Sequence, residues 1–274
     1  MFIVAFFFKK NLCDLWDSFF YIAVCNLFSL IAVFISGFLL TLVPTILVRT
    51  EIKDFCVFIV IIFGCFLFSL VYFSTGKNAT RISNSNFPRY VDFFLGFRNS
   101  IVDAVLLGSF IGMLICAIIV SLPYYLLKWE ETRRLYQAFF ATVIFWFLIS
   151  TFFALQWFLG VKSLLGTGFF KCLKKCYILF FDNLDFTFVL FLINLANLLV
   201  TVLTFGIFPG LAGIAVTNVN AFRLILQKYY WLEKQQDFPR AKNRKIPWNE
   251  LLSEDIKILK NRTVMGLFFP WVHE

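Results

Sequence analysis

Two runs of small and polar residues carry the chemistry that repeats at helical spacing in this sequence. Asn194, Asn197, Thr201 and Thr204 follow i, i+3, i+7, i+10, and Gly210, Gly213, Thr217 and Asn220 repeat that spacing a few residues later. Residues so spaced share one face of a helix, so each run is a stripe. Amides and hydroxyls donate and accept hydrogen bonds without carrying charge. In a membrane, facing stripes of this kind either bond helix to helix or line a polar path. Asn26, Ser29 and Ser36 stand in a comparable register, and Gly108 and Gly112 form a G-x-x-x-G pair suited to close helix packing.

Other chemistries lack their parts. The one histidine, His273, has no second imidazole for a zinc site or a triad. No G-x-x-x-x-G-K-[ST] loop is present to cradle phosphates. Asp103, Asp182 and Asp185 fall near the ends of apolar runs, so neither paired acids nor a proton relay is expected inside the membrane. Cys172 and Cys176 sit four apart beside Lys174 and Lys175, a spacing that weakly suggests a thiolate or metal pair. The expectation is a chain that is not an enzyme, with no catalytic residue, cofactor or metal.

The elements that must position the stripes are transmembrane helices. A soluble domain carries about 45–50% apolar and roughly 25% charged residues, whereas this chain of 274 residues is 61% hydrophobic and 15% charged, with mean hydropathy +0.84. Crossing the hydrocarbon core takes about 20 apolar residues. Runs 19–48, 55–73, 101–127 and 136–161 meet that length, and 186–205 does so while carrying Asn194 and Asn197. The run 207–226 is long enough but holds Thr217, Asn218 and Asn220. The N-terminal 20 residues place their apolar run before Lys9 and Lys10, the wrong order for a signal peptide. They read as an amphipathic lead-in at the membrane surface, with Asp14 and Asp17 on its wet side.

Charge decides between five and six crossings. With five, the fifteen basic residues counted as outside outnumber the ten inside; with six, the ten from Arg223 onward join the inner side. Only Arg49, Lys53, Lys128, Arg133 and Arg134 then remain opposite. Because Lys and Arg concentrate in cytoplasmic loops, the sequence predicts an all-α polytopic bundle of six spans, N-in and C-in, in a bacterial plasma membrane. A re-entrant hairpin over 186–226 would give the same sidedness. The net charge of +9 is thereby a topology signal, and no nucleic-acid partner is expected.

Residues 1–232 are expected to form the bundle and 233–274 a basic cytoplasmic tail able to meet anionic lipids or other subunits of a membrane complex. In that tail a helix is expected from Pro247 to Lys260, with LFFPWV near the end as an apolar anchor. The second loop, 74–100, expected on the cytoplasmic side, opens with a polar stretch, after which Pro88 leads into a predicted interfacial helix. The sequons at Asn78 and Asn261 lie on the predicted cytoplasmic side and are discounted.

Asn26-Leu27 followed by Thr41-Leu-Val-Pro44 in the first span resembles the N-L-L…T-x-G-P hallmark of the YesL-like small membrane proteins, with Val43 where that family has Gly. The segments FRNSIVDAVLLGSFIG and NLANLLVTVLTFGIFPGLAGI are similar to the start of its next span and to its C-terminal end. The resemblance covers about half of the chain. It implies association with bacterial sugar uptake and supplies no catalytic residues.

Overall fold

A computed structural model describes residues 2–46, 52–234 and 246–259. Within them the chain forms twelve helices and no strand: α1 (Phe2–Asp17), α2 (Phe19–Ile46), α3 (Lys53–Ser83), α4 (Tyr90–Asn99), α5 (Ile101–Thr132), α6 (Leu135–Leu155), α7 (Phe158–Leu165), α8 (Phe169–Asp182), α9 (Leu184–Leu203), α10 (Gly210–Glu233), α11 (Trp248–Leu251) and α12 (Ser253–Leu259). In lipid each backbone amide must be bonded within its own segment, which forces the apolar runs to be helical. Five helices, α2, α3, α5, α6 and α9, are long and apolar enough to cross a membrane. The protein is a multi-pass, all-helical membrane protein. The expected sixth crossing falls on α10, which those criteria do not select.

The breaks have local causes. Pro123 cannot donate to the helical ladder, and just before it the turn at Ala117–Ser121 widens, with the Leu122 amide donating to the Ala117 carbonyl, while α5 continues. Arg133 and Gly166 take left-handed backbone conformations that end α5 and α7. The predicted fourth span, 136–161, divides at Gln156 and Trp157 into α6 and α7.

The polar stretch expected to open the second loop is instead the last part of α3. It stays helical because its side chains find partners: Asn78 is fully buried, donates to the Tyr21 hydroxyl at 2.8 Å and accepts from the Arg89 amide at 3.0 Å. Asn78 is therefore no glycosylation acceptor in this fold. The interfacial helix expected after Pro88 is α4, which lies so close to α3 that a side chain at Gly96 would overlap Ser74. Lys77 and Arg81 of α3 both reach Asp92 of α4. The Lys77 hydrogen bond holds the Asp92 carboxyl below its usual range.

The centre of the molecule is α10, packed against α1, α2, α3, α7 and α9 and buried along most of its length from Gly210 to Ile225. Its polar side chains face other helices, which is why hydropathy alone leaves it marginal. The sequence places Asp14 of α1 on a wet side; the structure buries it against α10. Its carboxylate accepts from Asn220 at 2.9 Å and pairs with Lys10 at 3.2 Å, and Lys10 is only 3% exposed. Residues 246–259 return to the bundle: Leu252 and Leu259 enter the core and Asp255 receives Arg223. The expected helix from Pro247 is two short ones, and Lys260, LFFPWV, Asn261 and His273 lie outside the described residues.

Candidate functional site

Every stripe residue found in the sequence lies on α2, α9, α10 or the turn between the last two, apart from the glycine pair on α5. α9 and α10 run antiparallel, since Asn197 Nδ2 donates to Thr217 Oγ1 at 3.0 Å and Thr201 Oγ1 accepts from the Gly210 amide at 2.9 Å. Thr204 closes the turn by bonding the backbone amide and carbonyl of Phe208. Thr217 also donates to the Gly213 carbonyl.

Asn26 of α2 holds the tip of this hairpin. Its Nδ2 donates to the carbonyls of Ile207 at 2.9 Å and Pro209 at 2.6 Å, and its Oδ1 accepts from the Ala212 amide at 2.9 Å. One fully buried amide thus satisfies three backbone groups that the turn frees from helical bonding. Gly210 is confined by this contact: φ is +58°, and a Cβ would fall 2.3 Å from Asn26 Nδ2. Ser29 and Ser36 bond carbonyls of their own helix and make no bond to the hairpin. At Gly108 a Cβ would stand 2.6 Å from Phe66 Cα, and at Gly112 it would stand 2.9 Å from the Ile62 side chain, so α5 lies directly on α3 there.

Asn194 joins a second network absent from the stripes. Its Nδ2 donates to Asn218 Oδ1 at 2.8 Å and Gln156 Oε1 at 3.1 Å, and Asn218 Nδ2 donates to the Tyr72 hydroxyl at 2.9 Å. Asn220, assigned by spacing to the hairpin face, turns instead toward Asn11 and Asp14 of α1. Gln156 and Tyr72 carry the available signal: Gln156 is a lone polar group inside an apolar run, and Tyr72 has Ser69 and Thr75 at helical spacing on its own helix. This network borders a cavity of about 640 Å³ between α3, α5, α6, α9 and α10, with predominantly apolar walls.

Cys172 and Cys176 are buried, and Cys172 donates to the Phe158 carbonyl at 3.5 Å. The Cys172 hydrogen bond, together with burial, pushes the Cys176 thiol above its usual range, the reverse of an activated thiolate. Among the described residues no three His, Cys, Asp or Glu side chains gather as a metal site. In comparisons with known proteins, no family model, curated protein or solved structure matches the chain.

Proposed function

We propose that this chain is an accessory or scaffold subunit of a membrane complex, such as a solute-uptake system, without catalytic activity of its own. The observation that carries the reading is the use made of the intramembrane polar groups. Asn26, Asn194, Asn197, Thr201, Thr204 and Thr217 bond neighbouring helices or the hairpin turn. Such bonds build a bundle, and of these residues Asn194 also borders the cavity between α3, α5, α6, α9 and α10. The likeness of the first span to YesL-like proteins points toward bacterial sugar uptake. The carrier alternative draws on the cavity beside Asn194 and Asn218, whose apolar walls suit hydrocarbon better than a hydrated solute.

A plasma-membrane orientation with both termini cytoplasmic is supported by the basic-residue distribution and by Lys9 Nζ donating to the Leu259 carbonyl at 2.9 Å, which sets α1 beside α12. The hairpin tip meets α2 only seven residues beyond its first, at Asn26, while α2 continues to Ile46. That favours a re-entrant description of α9 and α10. Two full crossings would return the chain to the same side.

The basic face of α8, with Lys171 and Lys174 exposed beside Phe170 and Phe181, offers a surface for a partner or for anionic lipid. The test is purification of the tagged chain in mild detergent, with Lys171, Lys174 and Lys175 changed together to Gln. Partners retained by the parent and lost from a variant of equal thermal stability support the reading. A chain that purifies alone, and whose Asn194→Leu/Asn197→Leu form keeps its stability but loses solute uptake, is a carrier.

A further inference from the structure

We infer that the cavity between α3, α5, α6, α9 and α10 is a binding site for an uncharged membrane lipid bearing a free hydroxyl. This goes beyond the subunit assignment and does not depend on it.

The cavity volume, about 640 Å³, falls within the roughly 300–1,000 Å³ of small-molecule sites. Phe68 of α3, Ile115 of α5 and Ile214 of α10 contribute to apolar walls. Ile118, Phe152 and Leu198, on α5, α6 and α9, also line it and are at least half exposed. These three helices are candidate spans, so the cavity opens sideways toward the lipid phase.

Two polar atoms at this site lack partners. Gln156 Nε2 and Asn194 Oδ1 are buried and make no hydrogen bond, although the other atom of each amide is bonded. Isolated buried polar atoms are costly, and because neither atom is open to the cavity, a ligand bonds the pair once the Gln156 and Asn194 side chains turn toward it. Reversing Gln156, Asn194 and Asn218 together keeps the Gln156–Asn194–Asn218–Tyr72 chain bonded and again leaves one donor and one acceptor free.

A single donor and a single acceptor match a hydroxyl, which accepts one bond and donates another. No Lys, Arg, Asp or Glu lines the cavity, so an ionised head group would be buried without compensation. The hydrocarbon part of the same molecule would cover the apolar walls. Long-chain alcohols and diacylglycerols share this chemistry.

The test uses the full-length protein in phosphatidylcholine nanodiscs, with photoactivatable, alkyne-tagged hexadecanol and diacylglycerol as separate probes and peptide mapping of the labelled sites. Labelling of residues 148–156 and 191–198 by either probe is expected, and the more efficient probe identifies the lipid type. Unlabelled alcohol should compete about tenfold better than its methyl ether, which has lost one hydrogen bond. Ile115→Trp, which narrows the cavity from the α5 wall and leaves Gln156 and Asn194 unchanged, should weaken labelling while leaving the melting temperature unchanged. Gln156→Met should erase the preference for alcohol over ether. Equal competition by alcohol and ether, labelling undiminished in Ile115→Trp, or labelling by neither probe would overturn the proposal.

Discussion

At the scale of single residues, position relative to a partner decides what a polar side chain contributes. Asn26 and Ser29 are neighbours on one face of α2, yet Asn26 bonds three backbone groups of a distant turn while Ser29 bonds only the Asn26 carbonyl. Intramembrane side-chain bonds average about 0.6 kcal/mol, and a stranded buried group adds about 1–3 kcal/mol. Asn26→Leu should therefore cost roughly 2–4 kcal/mol in detergent unfolding, and Ser29→Ala under about 0.5 kcal/mol; equal losses would contradict the clamp. The Lys10–Asp14 pair gives a second contrast. Breaking a buried pair costs about 3–5 kcal/mol, whereas replacing both members by apolar groups is often neutral or stabilising. Asp14→Leu should destabilise, and Lys10→Met/Asp14→Leu should recover most of the loss. Burial raises the Asp14 pKa despite Lys10, so the folded state holds that proton more tightly than the unfolded chain. Its contribution is therefore greatest in acid and is lost as pH rises through the carboxylate range, and the double variant should show a flatter profile there. The sequence disclosed Asp14 but not its burial, because the surface that buries it belongs to α10, about 200 residues away.

At the scale of elements, helix contacts are set by where a backbone can approach another backbone. Gly108 touches the α3 main chain, while a Cβ on Gly37 of α2 would meet nothing within 4 Å. Gly108→Leu should force α3 and α5 apart and lower the melting temperature by several degrees, since a kcal/mol or two corresponds to roughly 2–4 °C each in a chain of this size. Gly37→Ala should leave melting unchanged or slightly raised, because Ala is the better helix former. The α9–α10 stripes were legible because polar residues at helical period stand out against apolar sequence. The continuation of α3 through Ser74–Ser83 was not, because that stretch has the composition of a loop and owes its helicity to Tyr21 and Arg89. The split of the fourth predicted span at Gln156 was hidden for the opposite reason: its flanks are apolar on both sides.

At the scale of the whole molecule, the apolar runs revealed the five candidate spans, while α10 escaped the hydropathy criterion because its surroundings are protein. A helix enclosed by five others can keep Asn218, Asn220 and Arg223 because each has a partner. Arg223 is the furthest-reaching of these: it donates to the Ser83 carbonyl at 2.7 Å and to Asp255 at 3.0 Å, joining α3, α10 and α12. The cavity could not be read from sequence, since its lining comes from separate helices and its two unpartnered atoms are defined only by geometry. Orientation can be measured directly. Green fluorescent protein fused after Glu274 should fluoresce and alkaline phosphatase fused there should be inactive; the opposite pair of results would place the C-terminus outside.

The Asn26 clamp also sets a schedule for biosynthesis. The ribosome delivers α2 well before residues 207–212 exist, so the nascent chain must wait in the bilayer with an amide that has no partner of its own. During that interval the membrane insertion machinery, or a quality-control protease that recognises polar residues in lipid, has its opportunity to act. The same residue should then have opposite effects at two stages. Asn26→Leu should lengthen the pulse-chase half-life of a chain stopped at residue 203, where the exposed amide only marks it for degradation. In the complete chain the same substitution should shorten the half-life, because the hairpin arrives and finds nothing to hold it.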